Sequence, residues 1–143
     1  MEKNYNVLVK DHLYFGGAKD AQAASSNESV DLVIDVRVNG LTEEEQKAIG
    51  YPYKHLPIAD EDLQVANSIK HVAKEITNAY HEGKKVYFHC GSGSGRAGVA
   101  ATAVLIELGL AKTLEEAETA VKEARPQVSI RPTMEMALQK LYK

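Results

Sequence analysis

The sequence predicts a single α/β domain, residues 1–143, with a mostly parallel sheet of about four to five strands flanked by helices on both faces. Two continuous apolar runs, DLVIDV at 31–36 and VYFHC at 86–90, are typical of inner strands covered on both sides. Segments of helical periodicity alternate with the predicted strands. This alternation is typical of parallel strands joined by helical crossovers.

Two short strands are predicted at the start of the chain. NVLV at 6–9 and HLYFGG at 12–17 are rich in branched and aromatic residues, and a glycine pair that permits a turn closes the second. Both are expected at the edge of the sheet, whereas DLVIDV is expected at its centre. YKHLPI at 53–58 is expected to return to the sheet.

Capping signals place two helices between these strands and the second apolar run. Thr42 and Glu45 form the capping box of a short acidic helix, which Gly50 is expected to end in the left-handed conformation. A longer helix is expected from the N-cap Asp62 to Gly83. Its apolar side chains repeat along one face, at Val65, Ile69, Val72 and Ile76.

Three further helices are expected after the second apolar run. Residues 97–106 carry no charge, which predicts a helix buried in the core. Thr113 and Glu116 cap a second helix that ends before Arg125, and Pro132 fits the first turn of a last helix.

Composition excludes several classes of protein. The 17 Lys and Arg residues face 20 Asp and Glu residues, and a net charge of -3 gives no overall positive field for nucleic acid or anionic lipid. Cys90 is the single cysteine, which excludes an internal disulfide and a multi-cysteine zinc site. With no secretory core at the N-terminus, we expect a cytoplasmic monomer without metal, cofactor, nucleic-acid partner or membrane partner.

The segment from Val86 to Gly98 connects a predicted strand, a run of Gly and Ser, and a predicted helix. Successive backbone N–H groups in such a turn, together with the helix N-terminus, attract anions. The residues expected to bind phosphate are Gly91, Ser92, Gly93, Ser94, Gly95 and Arg96.

Two other phosphate-loop patterns fit this segment poorly. Gly93, Gly95 and Gly98 spell the dinucleotide fingerprint, but the acidic residue expected ~20 positions later would have to end a strand, and a helix is predicted there. A nucleoside triphosphate loop requires Lys and then Ser or Thr after its last glycine, whereas Arg96 and Ala97 follow here.

Cys90 and Arg96 form the more specific pattern H-C-x-x-G-x-x-R, with five residues between the thiol and the guanidinium. A cysteine below a ring of N–H donors and a helix N-terminus is expected to ionise to the nucleophilic thiolate. Arg96 can offer a planar pair of donors to a tetrahedral oxyanion. His89 is expected to point to the opposite face of the strand and is not assigned as a base.

The motif HCGSGSGR at 89–96 and the upstream motif HLPIAD at 55–60 resemble the cysteine-dependent protein tyrosine phosphatase superfamily, specifically its small dual-specificity-like members. The resemblance implies hydrolysis of phosphotyrosine, with some phosphoserine or phosphothreonine, through a phosphocysteine on Cys90 and without a metal. It implies phosphate binding by Arg96 and a general acid at Asp60, 30 residues before Cys90. Asp62 is the alternative acid, or else a helix cap.

Three residues qualify this resemblance. Ala97 replaces a Ser or Thr whose hydroxyl, in many members, stabilises the leaving thiolate, so hydrolysis of the intermediate is expected to be slow. Gln139 lies late in the last predicted helix and is expected to be solvated. Arg37 is expected either to face the substrate or to pair with the acidic helix.

Two functions outside this enzyme class stay open. A rhodanese-like sulfurtransferase also carries a cysteine loop, although its loop generally has one residue fewer between cysteine and arginine. A phosphate-binding module with little turnover is the other, because of Ala97. The expected substrate is a phosphorylated protein or a small phosphomonoester. The absence of Lys from the loop disfavours a highly anionic inositol lipid, and the absence of deep-pocket elements favours a shallow site.

Overall fold

A computed structural model describes residues 3–143, without the side chain of Asp62. Its sheet has the order β1-β2-β5-β3-β4, in which β1 is antiparallel to β2 and the other neighbours are parallel. The strands are β1 (Asn6–Val9), β2 (Leu13–Gly17), β3 (Leu32–Asp35), β4 (Tyr53–His55) and β5 (Val86–Cys90). The predicted α/β fold with a mostly parallel sheet is therefore confirmed.

Six α-helices connect and cover the strands. They are α1 (Ala21–Glu28), α2 (Glu43–Ala48), α3 (Asp62–His81), α4 (Arg96–Glu107), α5 (Leu114–Ala124) and α6 (Pro132–Tyr142). A short 3-10 turn, Ala18–Asp20, precedes α1. Within residues 3–143, no helix is both long enough and apolar enough to cross a membrane.

The two faces of the sheet are covered unequally. The larger core packs buried side chains of α3 to α6 against alternate strand residues such as Phe15 and Phe88, whose rings stack with centroids 5.8 Å apart. The smaller core contains α1 and three buried tyrosines, Tyr5, Tyr14 and Tyr87. Burial of apolar surface, at about 25 cal/mol per Å², holds the helices against both faces.

The strand predictions agree with the structure except at β2. The strand DLVIDV is interior, as expected, and β1 lies at an edge. The expectation that HLYFGG also forms an edge strand is wrong: β2 pairs in parallel with β5 from Leu13 to Gly17, and all five residues are buried. Its brevity suggested an edge position, but β1 covers its outer side.

The helix predictions were least accurate at helix ends. The capping box of Thr42 and Glu45 is present, with bonds of 2.9 and 3.1 Å. Ile49 ends α2 in an extended conformation, so the role expected for Gly50 is wrong. Glu61 rather than Asp62 is the N-cap of α3.

The sequence analysis did not predict α1. Its sequence, AQAASSNE, has no apolar stripe of helical period, and only Ala21 and Ala24 are buried. Packing against the tyrosines of the sheet therefore selects this helix more than its own periodicity does.

A carboxyl pair lies between α5 and α6. The Oε2 atom of Glu118 is buried and has no hydrogen-bond partner in the described chain. Burial, a hydrogen bond shared with Glu135, and the charges of Glu135 and Glu115 raise the pKa of Glu118 to about 7. Burial and neighbouring negative charge therefore favour the protonated form of Glu118.

We expect this pair to make stability fall as pH rises. Between the ordinary pKa of 4.5 and about 7, the folded chain retains a proton that the unfolded chain has released. Glu118→Gln should therefore raise Tm at pH 8, by roughly 2–6 °C, and less at pH 5. Thermal unfolding at both pH values, with the exposed Glu123→Gln as control, tests this; an equal shift at both would contradict it.

Candidate active site

The carboxyl ends of three parallel strands meet at one edge of the sheet. Gly17 of β2 is opposite Cys90 of β5, and Asp35 of β3 is opposite His89. This register places Cys90 at the middle of the edge, where open α/β sheets bind their ligands. The glycine-rich loop, residues 91–95, continues from Cys90 directly into α4.

Backbone amides outside the glycine-rich loop hold its two ends. The N–H of Ala18 donates to the Gly91 carbonyl at 2.9 Å, and the N–H of Ser129 donates to the Ser94 carbonyl at 2.7 Å. These bonds direct the carbonyl oxygens of both loop residues away from the interior of the loop.

Arg125 holds the middle of the loop and was not singled out in the sequence analysis. Its guanidinium is 4% exposed and donates to the carbonyls of Gly93 at 2.9 Å and Ser92 at 3.0 Å. A third guanidinium nitrogen donates to the Asn4 carbonyl and the Asn6 side chain, both at 2.8 Å. With four successive carbonyls held from outside, the loop amides are free to converge on its interior.

Gly93 is the position at which the loop requires glycine. Its φ is +79°, and a Cβ there would lie 2.5 Å from the carbonyl carbon of Gly16 and 2.8 Å from Nη2 of Arg125. Its N–H donates to Sγ of Cys90 at 3.2 Å. The left-handed residue therefore directs an amide at the sulfur.

We expect Arg125→Lys to disorder the loop, because one ammonium cannot replace donors aimed at four acceptors. Buried carbonyls left without a donor cost about 1–3 kcal/mol each, so the free energy of unfolding should fall by ~2–4 kcal/mol. Affinity for vanadate, measured by inhibition, should fall by at least ~10-fold. Arg131→Lys, at an exposed position, is the matched control for stability; unchanged vanadate affinity in Arg125→Lys would contradict this role.

Cys90 is buried beneath the loop, with 5% of its surface exposed. In the described chain its sulfur accepts one hydrogen bond, from the Gly93 amide. The N-terminus of α4 begins six residues later at Arg96. The sulfur therefore lies between a loop amide and the start of a helix.

Arg96 connects the glycine-rich loop to the acid segment, which we define as residues 55–60. Its Nε donates to the Ile58 carbonyl at 2.8 Å, and its Nη2 bonds the carboxylate of Asp60. The structure thus brings together two of the side chains that the sequence selected, Arg96 and Asp60, at the end of the loop that begins after Cys90. Burial, together with the positive charge of Arg131, lowers the pKa of Arg96.

The acid segment is fixed to the edge of the sheet by its backbone. The amide of Leu56 donates to the backbone carbonyl of Asp35 at 2.9 Å, and the amide of Ile58 donates to the backbone carbonyl of Val36 at 3.0 Å. Ile58 is fully buried, whereas the Asp60 side chain is 60% exposed. The side chain of Asp62, the alternative acid, lies outside the described residues.

Arg37 forms its ion pair with the buried Asp35, and within residues 3–143 none is recorded between Arg37 and the acidic helix. Its Nε and Nη2 donate to the buried Asp35 carboxylate at 2.9 and 2.7 Å. Burial opposes ionisation of Asp35, but the bonds from Arg37 and Tyr53 outweigh it and lower the pKa of Asp35. The expected pairing with the acidic helix is therefore wrong, and Arg37 instead lines a cleft beside the glycine-rich loop.

His89 lies on the opposite face of β5 from Cys90. Its side chain is buried, and its ring lies 5.8 Å from the ring of Tyr87, measured between centroids. Its Nδ1 donates to the Cys90 carbonyl at 3.0 Å. Burial lowers the pKa of His89, so the ring is neutral at pH 7. This geometry gives it a structural contact with the base of the loop.

The structure also places the other residues that the sequence analysis named, Ala97, Gln139 and the two loop serines. Ala97 is fully buried in the first turn of α4. Gln139 donates to Glu135 on the same helix, beside the α5–α6 carboxyl pair. The hydroxyls of Ser92 and Ser94 bond each other at 2.6 Å.

The cleft beside the glycine-rich loop has a volume of about 1030 Å³ and is lined by cations from outside the loop. Lys3 and Lys19 join Arg37 there. The loop itself contains no Lys, so these cations come from neighbouring segments of the chain. The loop sequence alone could not reveal side chains that the neighbouring strands bring to it.

This fold, with a buried cysteine at the carboxyl end of its central strand, is that of the cysteine-dependent phosphatases. The chain belongs to the dual specificity phosphatase family, because residues 13–142 match the family described as "Dual specificity phosphatase, catalytic domain". The phosphatase interpretation is thereby favoured over the sulfurtransferase. Among curated proteins, no sequence matches the chain.

Solved structures of the same fold are similar over nearly the whole chain. Human DUSP28 has a TM-score of 0.79 at 20% identity, covering 98% of this chain and 93% of its own. A mouse putative dual specificity phosphatase complexed with zinc tungstate has a TM-score of 0.80 at 20% identity, covering 98% and 87%. The active form of Tk-PTP has a TM-score of 0.79 at 22% identity, covering 99% and 97%.

Proposed function

We propose that this phosphatase hydrolyses phosphotyrosine monoesters, with some activity toward phosphoserine and phosphothreonine, through a phosphocysteine on Cys90. The observation that carries the proposal is the loop whose four carbonyls are held outward while the Gly93 amide meets the Cys90 sulfur. Such a loop offers its donors to the three equatorial oxygens of a phosphoryl group. Arg96 adds a planar pair of donors on the same side.

In the first step, the Cys90 thiolate attacks phosphorus and forms the S–P bond as the bond to the ester oxygen breaks. The departing oxygen takes a proton from Asp60, which becomes a carboxylate. Contact of Asp60 with Arg96, the first residue after the loop, supports this role. When substrate binds, its phosphate replaces Asp60 as the partner of the Arg96 guanidinium. Asp60 is then beside the leaving group.

In the second step, the Asp60 carboxylate removes a proton from a water molecule, whose oxygen attacks phosphorus. The S–P bond breaks, inorganic phosphate leaves, and the thiolate and the protonated acid are regenerated. The loop donors hold the same equatorial oxygens throughout, so they stabilise both transition states.

A panel of phosphopeptides tests this function directly. We expect phosphate release from phosphotyrosine peptides to exceed release from matched phosphoserine and phosphothreonine peptides, with inhibition by vanadate and no effect of EDTA. Vanadate binding without phosphate release above the background rate would assign a phosphate-binding module instead. Dependence on a metal would contradict the proposed mechanism.

Ala97 leads us to expect that the second step limits turnover. A hydroxyl at this position would give the departing thiolate one charge-assisted hydrogen bond, worth ~1.5–3 kcal/mol, or about one to two powers of ten in rate. Rapid mixing with 4-nitrophenyl phosphate should show a burst of nitrophenolate near one equivalent per enzyme, followed by a slower steady-state rate. Ala97→Ser should raise the steady-state rate and leave the burst rate nearly unchanged. Absence of a burst together with an unchanged kcat in Ala97→Ser would contradict this.

A further inference from the structure

Two helices, α3 and α6, begin beside the glycine-rich loop. The first residue of α3 follows two positions after Asp60, whose carboxylate bonds Arg96. The first residue of α6 follows three positions after Ser129, whose amide donates to the Ser94 carbonyl at 2.7 Å. Because three residues of chain span at most about 11 Å, the first turns of both helices lie at the edge of the active site.

A groove of about 380 Å³ lies between these two helices. Ala66 of α3 lines it together with Thr133, Met136, Ala137 and Lys140 of α6. Among these described residues none carries a carboxylate, and three of the five are apolar. Because pockets for whole ligands measure roughly 300–1,000 Å³, this groove suits one or two side chains of a larger ligand.

Two exposed apolar side chains border the groove. In the described chain, Leu63 and Met136 are the most exposed of the large apolar side chains, at 93% and 69%. Leu63 precedes Ala66 by three residues and therefore extends the same face of α3. Apolar residues exposed singly are ordinary on protein surfaces, but two at one groove beside an active site indicate a binding surface.

The charge between the groove and the loop favours an anionic ligand. Arg131 lies in the chain between Ser129, which holds the loop, and the groove residues of α6. It is exposed, and in the described part of the chain it forms no ion pair. Besides burial, the positive charge of Arg131 lowers the pKa of Arg96, so this charge acts at the mouth of the loop. A phosphorylated segment that extends from the loop to the groove is attracted by it.

A peptide fits these dimensions better than a second copy of the chain does. A stable dimer buries about 800 Å² on each partner, whereas this groove offers only two large exposed apolar side chains. Met136 follows the first residue of α6 by four positions, about 6 Å along the helix axis. An extended peptide advances about 3.3 Å per residue, so two or three residues connect the loop to the groove.

We propose that this groove is a specificity subsite, which binds an apolar side chain two or three residues away from the phosphotyrosine of a peptide substrate. Leu63 and Met136 cover that side chain, and the phosphate occupies the glycine-rich loop. The inference rests on the proposed phosphotyrosine phosphatase function and adds a sequence preference to it.

The test uses phosphotyrosine peptides of Gly and Ser, in which one leucine is placed in turn at each of three positions on either side of the phosphotyrosine. We expect kcat/KM for the best leucine peptide to exceed that for the leucine-free peptide by about 10-fold, the gain from burying one leucine side chain. Leu63→Gln and Met136→Gln should each reduce this gain about 3-fold or more. Neither should change kcat/KM for 4-nitrophenyl phosphate.

Leu110→Gln is the matched control, because Leu110 is also an exposed leucine but lies beyond the end of α4, about 18 Å along that helix from its start. It should change none of these values. Equal kcat/KM for all peptides would overturn the subsite, and so would losses in Leu63→Gln and Met136→Gln that are equal for peptides and aryl phosphate.

Other occupants of the groove give different results. A dimer in sedimentation that Met136→Gln dissociates, or Met136-dependent binding to phosphatidylcholine vesicles, without any leucine preference, would overturn the proposal. The Cys90→Ser variant gives Kd for the same peptides without turnover. A leucine preference in these Kd values, with no hydrolysis by the unaltered enzyme, would support the subsite and refute the proposed function alone.

Discussion

Cys90→Ser is expected to reduce phosphate release from 4-nitrophenyl phosphate to the background rate, a loss of ~10⁴-fold or more. A serine hydroxyl ionises far less readily than a thiol, so the loop amides and the N-terminus of α4 would have no anionic nucleophile to stabilise. A continuous assay of nitrophenolate, with single-turnover measurements for the slow variant, gives the two rates.

The anion-binding loop itself should survive this substitution. Its shape depends on Arg125, on the amides of Ala18 and Ser129, and on the positive φ of Gly93, and none of these contacts uses the Cys90 sulfur as a donor. Vanadate binding by calorimetry and urea unfolding should therefore remain close to the values for the unaltered protein. Turnover near the original rate would refute nucleophilic catalysis by Cys90.

The second large effect is expected for Asp60→Asn. An amide cannot donate the proton that the leaving oxygen needs, so kcat for alkyl phosphates should fall by ~10²- to 10⁴-fold. The loss should be smaller for 4-nitrophenyl phosphate, because its leaving group is stable without a proton. Rates for a series of leaving groups measure this difference as a steeper dependence on leaving-group acidity.

Asp62→Asn is the matched comparison for the acid assignment. Both residues lie where the chain enters α3, two positions apart, and only one can serve the leaving oxygen. We expect Asp62→Asn to retain most of kcat and the shallow leaving-group dependence. The reverse pattern would move the general acid to Asp62.

Local sequence was sufficient to select the core of the candidate site. Cys90 and Arg96 lie within one strand-loop-helix segment, so their separation is fixed by local geometry that a short motif encodes. Asp60 is more distant in sequence but follows a strand adjacent to the same edge. Strand ends at one edge of a parallel sheet are brought together by the fold class itself.

The remaining features depend on long-range packing that a single sequence does not display. Arg125 approaches the loop from 32 residues further along the chain, and nothing around it except a following proline distinguishes it from a surface arginine. Lys19 comes near the loop because β2 pairs with β5, and strand order cannot be derived from periodicity. Short alanine-rich α1 was missed for the same reason, since its partner tyrosines come from three separate segments.

The two ends of the Arg125 guanidinium have a consequence for motions of the native state. One side holds the Ser92 and Gly93 carbonyls, and the other holds Asn4 and Asn6 at the beginning of β1. Fraying of an edge strand and loosening of the loop are therefore one cooperative opening. Hydrogen exchange of β1 amides would then report how often the glycine-rich loop is open.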